Sequence, residues 1–180
     1  MRIGAIGCGK LRILALDIAA TTGWAFSDEK TKRSGIKSFG LPLGEFADNF
    51  EAWLLAVIAE YQPDMIAVEA PVPVRGKTRL DIQMRAYGAH AIVHKTCRRK
   101  GIRLENVDVG KWRKEFIGRA RAPALLDGKK PKAHQRRAWL KKAAVSECER
   151  RGWPVSSDDE ADAVGVLSFA SHLIATKMAA

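Results

Sequence analysis

Four carboxylates lie far apart in this chain, and each stands where a hard divalent cation would need it. Asp17 ends the apolar run Ile13-Leu14-Ala15-Leu16. Glu69 ends a second run, Met65-Ile66-Ala67-Val68, and Asp159 and Asp162 fall three apart in Asp158-Asp159-Glu160-Ala161-Asp162. Carboxylates at the ends of adjacent buried strands, facing an acidic helical turn, are desolvated and repel one another, so the cluster stays ionised only with cations present. An all-oxygen set of this kind suits two Mg²⁺ ions, with Mn²⁺ able to substitute, and in-line attack on a phosphodiester. Each acid also has a plainer reading. Asp17 could cap a turn at Thr21 or Thr22, and Asp158 and Asp159 could serve the dipole of a helix start. Glu69, followed by Ala70-Pro71, has no obvious local capping role, and the dipole accounts less well for Asp162. Taken jointly, the set favours a metal site.

The second signal is positive charge. The 180 residues carry 31 Lys+Arg against 20 Asp+Glu, a formal net of +11. Nearly all of the surplus sits in one stretch: Lys111 to Arg151 holds 14 Lys/Arg and 4 Asp/Glu, a local net of +10. A charge run by itself is usually a solvated helix face, but one beside a candidate acidic metal site points to a polyanionic partner. Lys129, Lys130, Lys132, His134, Arg136 and Arg137 are its densest group, and Arg113 and Lys114 lie upstream. Such residues neutralise phosphates without choosing sequence. Lys132, if it faces the acids from a neighbouring element, could stabilise a transition-state phosphate. Trp112 and Trp139 could stack on bases, although core packing is the commoner use of a tryptophan.

The elements that must position these groups follow from hydrophobic periodicity. Residues 13–18 read as a continuous buried strand, with a turn at Thr21-Thr22-Gly23 and further strands at Trp24–Phe26 and Gly35–Phe39 around a charged hairpin loop. Apolar residues at helical spacing predict a helix from Leu43 to Tyr61, stopped by Gln62-Pro63-Asp64. The strand carrying Glu69 comes next, then a basic loop at 74–80, a helix from about Asp81 to Lys100 and a strand at Arg103–Val107. Beyond it lie a short helix at Trp112–Ile117, a basic loop at 118–131 and a basic helix at 132–151. A final helix runs from about Asp158 to Thr176, with Ser156 and Ser157 as N-cap candidates. This order of strands and helices predicts an α/β domain with a mixed central sheet. Residues 1–11 read as a lead-in and 12–180 as one domain, for which the length suffices.

Several classes are excluded. No apolar stretch approaches the ~20 residues that span a bilayer, and the N-terminus lacks a signal-peptide pattern. Cys8, Cys97 and Cys148 are scattered and odd in number, which argues against a disulfide framework and for a reducing, cytoplasmic setting. Gly4 to Lys10 nearly spells a P-loop, but Leu11 stands where Ser or Thr must hold Mg²⁺, and the segment precedes a strand instead of following one. His90, His94 and Cys97 have metal-compatible helical spacing without the Glu of a zincin, and read as satisfied helix-face residues. Asp17 with Thr21-Thr22-Gly23 also resembles the phosphate-binding turn of sugar kinases and actin-like ATPases, which need two such domains and more chain than this. No nucleotide cofactor is expected.

Leu16 to Ala25, Val68-Glu69-Ala70-Pro71 and Asp159-Glu160-Ala161-Asp162-Ala163 together resemble the three acidic motifs of the RuvC-type Holliday junction resolvases, in the ribonuclease H-like superfamily. The likeness spans about residues 12 to 175, and Trp112-Arg113-Lys114 with the basic loop and helix is most similar to the phage and prophage branch. It implies a five-stranded sheet with its first three strands antiparallel, and a metal-binding quartet at Asp17, Glu69, Asp159 and Asp162. It also implies a homodimer that cuts four-way junctions symmetrically, in a bacterial cell or a phage-infected host. Asp158 and Glu160 are additional acids, Asp158 being the alternative to Asp159 as ligand. No His stands among Ala163 to Leu167, so a general acid would fall to a lysine or to water on the metal. Two other readings are open: a nuclease of this fold acting on RNA–DNA hybrids or branched replication intermediates, and a non-catalytic junction-binding module.

Overall fold

The computed structural model describes residues 11–40, 42–71, 80–126 and 128–179. The two apolar runs are parallel neighbours at the centre of the sheet: β1 (Ile13–Asp17) and β4 (Met65–Glu69), with Leu16 opposite Val68. β2 (Thr21–Ser27) and β3 (Lys32–Ser38) fold back antiparallel on one side, and β5 (Arg103–Val107) lies parallel to β4 on the other. The strand order is β3-β2-β1-β4-β5, so the mixed five-stranded sheet with three antiparallel leading strands is as expected. Exposed Lys32, Arg33 and Lys37 line the edge strand β3, charges that discourage pairing with another sheet.

The central strands are uniformly apolar because helices cover both faces. Leu14, Leu16, Ile66 and Val68 point toward α1 (Leu43–Tyr61) and α2 (Leu80–Lys100), packing with Phe46, Phe50 and Val93. Ile13, Ala15, Met65 and Ala67 point the other way, toward α3 (Val109–Phe116), α4 (Ala133–Arg150) and α5 (Asp158–Ala179). Successive strand residues alternate faces. Asp17 and Glu69, two positions beyond Ala15 and Ala67, therefore belong to the α5 side. Geometry alone brings the two carboxylates together there.

Several boundaries differ from the sequence reading. Thr21-Thr22-Gly23 is not a turn but the start of β2, with Gly23 paired to Asp17. The turn lies at 18–20 and is closed by the Thr22 hydroxyl donating to the Ala19 carbonyl at 3.1 Å, so ladder pairing overrides the turn preference of Thr-Gly. β3 begins earlier than Gly35 because the ladder continues to Lys32 opposite Ser27. α3 begins at Val109, since Asp108 caps it, accepting the Lys111 N–H at 2.9 Å. α5 runs past Thr176 to Ala179. Most of the basic loop at 74–80 lies outside the described residues, as does Cys8. None of the described helices is long and apolar enough to cross a membrane.

Candidate metal centre

The acidic turn of α5 reaches the sheet through a missing side chain. A Cβ at Gly23 would stand 1.9 Å from the Asp159 carbonyl oxygen; only glycine lets the start of α5 lie on β2, directly across from Asp17. The helix start is itself tightly fixed. Ser157 Oγ accepts the Glu160 backbone N–H (3.1 Å), so Ser157 is the cap of the two candidates. The Glu160 carboxylate accepts from Ser156 N (2.8 Å), Ser156 Oγ (2.6 Å) and Ser34 Oγ (2.7 Å), and Trp153 Nε1 donates to the same Ser34 hydroxyl at 2.8 Å. Glu160, an extra acid in the sequence, ties α5 to β3. Its neighbours at 159 and 162 remain on the sheet side.

The cluster is under strong electrostatic pressure. Burial pushes the Asp17 carboxyl well above the usual carboxylate range, and Glu69, Asp162 and Asp159 push it further, with Arg113 opposing. Burial also raises Glu69, although the Trp112 hydrogen bond and the Arg113 charge hold it back. Asp162, with a side chain only 10% exposed, is pushed up to about 6, first by burial; Arg113 and Lys141 counteract and Glu69 reinforces. Of Asp158 and Asp159, it is Asp159 whose charge bears on Asp17. Asp158 instead pairs with Lys141, which also lies 3.5 Å from Asp159.

Two consecutive residues of α3 enter this cluster. Trp112 Nε1 donates to Glu69 Oε2 at 2.7 Å, and Arg113 lies 3.4 Å from Asp162 Oδ2 with its guanidinium 5.1 Å from the Trp112 ring centre. Trp112 is fully buried, so it belongs to the core and offers no stacking surface. Trp139 is half-buried beneath the Arg119 guanidinium, 5.6 Å from its ring centre. Arg113, grouped in the sequence with the DNA-binding cations, is turned into the site. Lys114, Lys129, Lys130, Lys132, His134, Arg136 and Arg137 are exposed. Lys132 sits at the N-cap of α4, its backbone N–H donating to Gln135 Oε1 at 2.8 Å. The α4 lysine that contacts the acids is Lys141, which the sequence reading passed over because helix phase alone does not reveal it.

An oxygen-only donor set with buried, mutually repelling carboxylates fits a hard divalent cation. As the side chains stand, no three metal-donor groups among the described residues come close enough to enclose one ion. Beside the acids lies a cavity of about 150 Å³ whose lining includes Asp17, Glu69, Ile18, Tyr87 and His90. His90 corrects the expectation of a satisfied helix-face residue. Its Nδ1 is buried with no hydrogen-bond partner, and burial lowers its pKa, favouring the neutral ring. Its place on α2 puts it on the cavity at the ends of β1 and β4, where Nδ1 finds no partner among the described residues. Cys97 is buried, its thiol pushed up to about 11, and His94 is exposed.

A mixed five-stranded sheet of this order, with helices on both faces and acids at the ends of its two central strands, defines the ribonuclease H-like fold. Solved structures narrow that to one form of it. Thermus thermophilus RuvC superposes with a TM-score of 0.63 at 14% identity, over 94% of this chain and 97% of that one. The same organism's RuvC in complex with a Holliday junction substrate gives 0.62 at 13%, over 93% and 96%. The yeast mitochondrial Holliday junction resolvase Ydc2 gives 0.59 at 12%, over 90% and 78%. The chain has the RuvC form of the fold. No family model matches the sequence, and no curated protein matches it.

Proposed function

We propose that this chain is a Mg²⁺-dependent, structure-selective DNA endonuclease that resolves four-way junctions. The observation that supports the reading is that Asp17, Glu69, Asp159 and Asp162, from three separate segments, lie near enough on a RuvC-type fold for the other three to raise the Asp17 carboxyl. These four would hold the ions, two per site, with Mn²⁺ as a substitute and Asp158 as a possible further acid. When bound, Mg²⁺ supplies the positive charge that hydrolysis of a phosphodiester requires, leaving 5′-phosphate and 3′-hydroxyl ends. Residues 12–180 are taken as the nuclease domain.

The protein's own part is binding and orientation. Burial and mutual repulsion make negative charge costly on Asp17, Glu69 and Asp162, a cost that a bound cation would offset. Arg113 and Lys141 offset part of that charge from α3 and α4. The exposed Lys114, Lys129, Lys130, Lys132, Arg136 and Arg137 face solvent, where they would follow a phosphate backbone and make affinity salt-dependent. A symmetric homodimer would present two such sites to a junction that itself has two-fold symmetry, giving paired nicks.

The test is cleavage with Mg²⁺ of a synthetic mobile four-way junction, a linear duplex and an RNA–DNA hybrid. Paired, ligatable nicks confined to the junction are expected. Cleavage of the hybrid instead would move the protein to another nuclease class. Tight junction binding without any cleavage would leave only a binding module.

A further inference from the structure

One polar contact in the site joins residues 43 apart in sequence: the Trp112 indole N–H and the Glu69 carboxylate, 2.7 Å apart. Tryptophan brings one donor and no acceptor. Its bond to a carboxylate therefore fixes one oxygen and leaves the other free. The ring itself has no room to turn. It is fully buried, its centre lies 6.4 Å from that of Phe116, and it packs against α5 so closely that a Cβ at Gly165 would stand 2.5 Å from Cζ3. The next residue, Arg113, stacks on the same ring and reaches Asp162. One short helix, capped by Asp108, thus presents a rigid donor to the acid on β4 and a cation to the acid on α5.

We propose that Trp112 is a positioning residue for the metal site: its indole N–H holds Glu69 in the orientation that receives the cation, and so sets the protein's affinity for divalent metal. This rests on the quartet being a metal site. Partners that orient a ligand typically change metal affinity or activity by about 10–100-fold when removed. Trp112 touches no solvent, so its loss should leave DNA binding alone.

The experiment is calorimetric titration of the full chain with Mn²⁺ in the absence of DNA, comparing wild type, Trp112→Phe, Glu69→Ala and the double variant. Phenylalanine keeps an aromatic ring against Gly165 and Phe116 but removes the donor. Trp112→Phe is expected to bind Mn²⁺ about 10-fold or more weakly, with unchanged far-ultraviolet circular dichroism, a cooperative thermal transition and an unchanged junction Kd. High Mn²⁺ should restore its cleavage rate. In the Glu69→Ala background, where the indole N–H has no carboxylate to hold, the same substitution should change nothing further.

A folded Trp112→Phe with wild-type Mn²⁺ affinity would overturn the proposal while leaving the metal site standing. So would an equal additional loss in the Glu69→Ala background. Wild type that binds no Mn²⁺ would overturn both the proposal and the reading beneath it. Should Trp112→Phe fail to fold, the indole N–H resonances of the wild type decide. The resonance displaced by Glu69→Gln must also move when Mg²⁺ is added; if it stays fixed, the proposal fails.

Discussion

Two sets of cations that form one basic stretch in the sequence are built on opposite terms in the structure. Arg113 and Lys141 are drawn inward, with side chains 23% and 28% exposed, and lie against Asp162, Asp158 and Asp159. Lys129, Lys130, Lys132, Arg136 and Arg137 stand in solvent at the 118–131 segment and the first turns of α4. The first set balances charge inside the acidic cluster, where burial makes each pairing count. The second is free to meet an external polyanion, where interactions are screened and additive. Charge counting cannot separate the two, because the difference is one of helix phase and of what lies opposite.

That contrast can be broken most forcefully at Gly23, the contact that brings the acids together. Gly23→Ala places a Cβ on the Asp159 carbonyl. Overpacking of this kind costs about 1–3 kcal/mol, and lifting α5 should also remove cleavage, measured by thermal melting and by junction nicking. A change confined to stability would mean that the site tolerates a displaced α5.

The second handle is pH. Asp162 has its folded-state pKa raised from 3.8 to about 6, so between those values the folded chain binds more protons than the unfolded one. Stability from this group is therefore fully present below pH 3.8 and is lost as pH rises through 6, by about 3 kcal/mol in the metal-free protein. Asp17 and Glu69, also raised, act with the same sign. Mg²⁺ should accordingly raise Tm more at pH 8 than at pH 5, as protons compete for the same oxygens. An equal rise at both would contradict the shared site.

The smallest structural effect is expected on the outer face. Changing Lys129, Lys130, Arg136 and Arg137 together to Ala should leave stability within about 0.5 kcal/mol per residue. Junction affinity should fall, and the slope of log K against log salt should flatten by roughly one for each phosphate contact removed. Arg113→Ala sharpens the comparison: it should alter the pH dependence of stability with little change in that slope.

Much of this arrangement was legible in the chain. The runs ending in Asp17 and Glu69 were recognisable as strands because a sheet covered on both faces demands continuous apolar residues, and alternation then aims both acids at one side. The helices announced themselves by period. What escaped were contacts that only tertiary approach creates. Gly23 looked like a turn residue and is a contact point for α5. Glu160 looked like an extra acid beside the quartet and is held by Ser156 and Ser34. Trp112 was weighed as core or as stacking surface, when it is core with its one polar atom on Glu69. His90 looked satisfied and is not. For Gly23, Glu160 and Trp112 a deciding partner (Asp159, Ser34 and Glu69) lies far off in the sequence.

The most direct test is Asp17→Asn, the least disruptive change at the most strongly perturbed acid. Junction cleavage with Mg²⁺ should drop to background while junction binding persists. The metal-free variant should be at least as stable as wild type at pH 7, because an amide carries no charge for burial, Glu69, Asp162 and Asp159 to oppose, and the Tm gain from Mg²⁺ should shrink. Cleavage that survives in Asp17→Asn, with its metal dependence intact, would contradict a nuclease centred on this cluster.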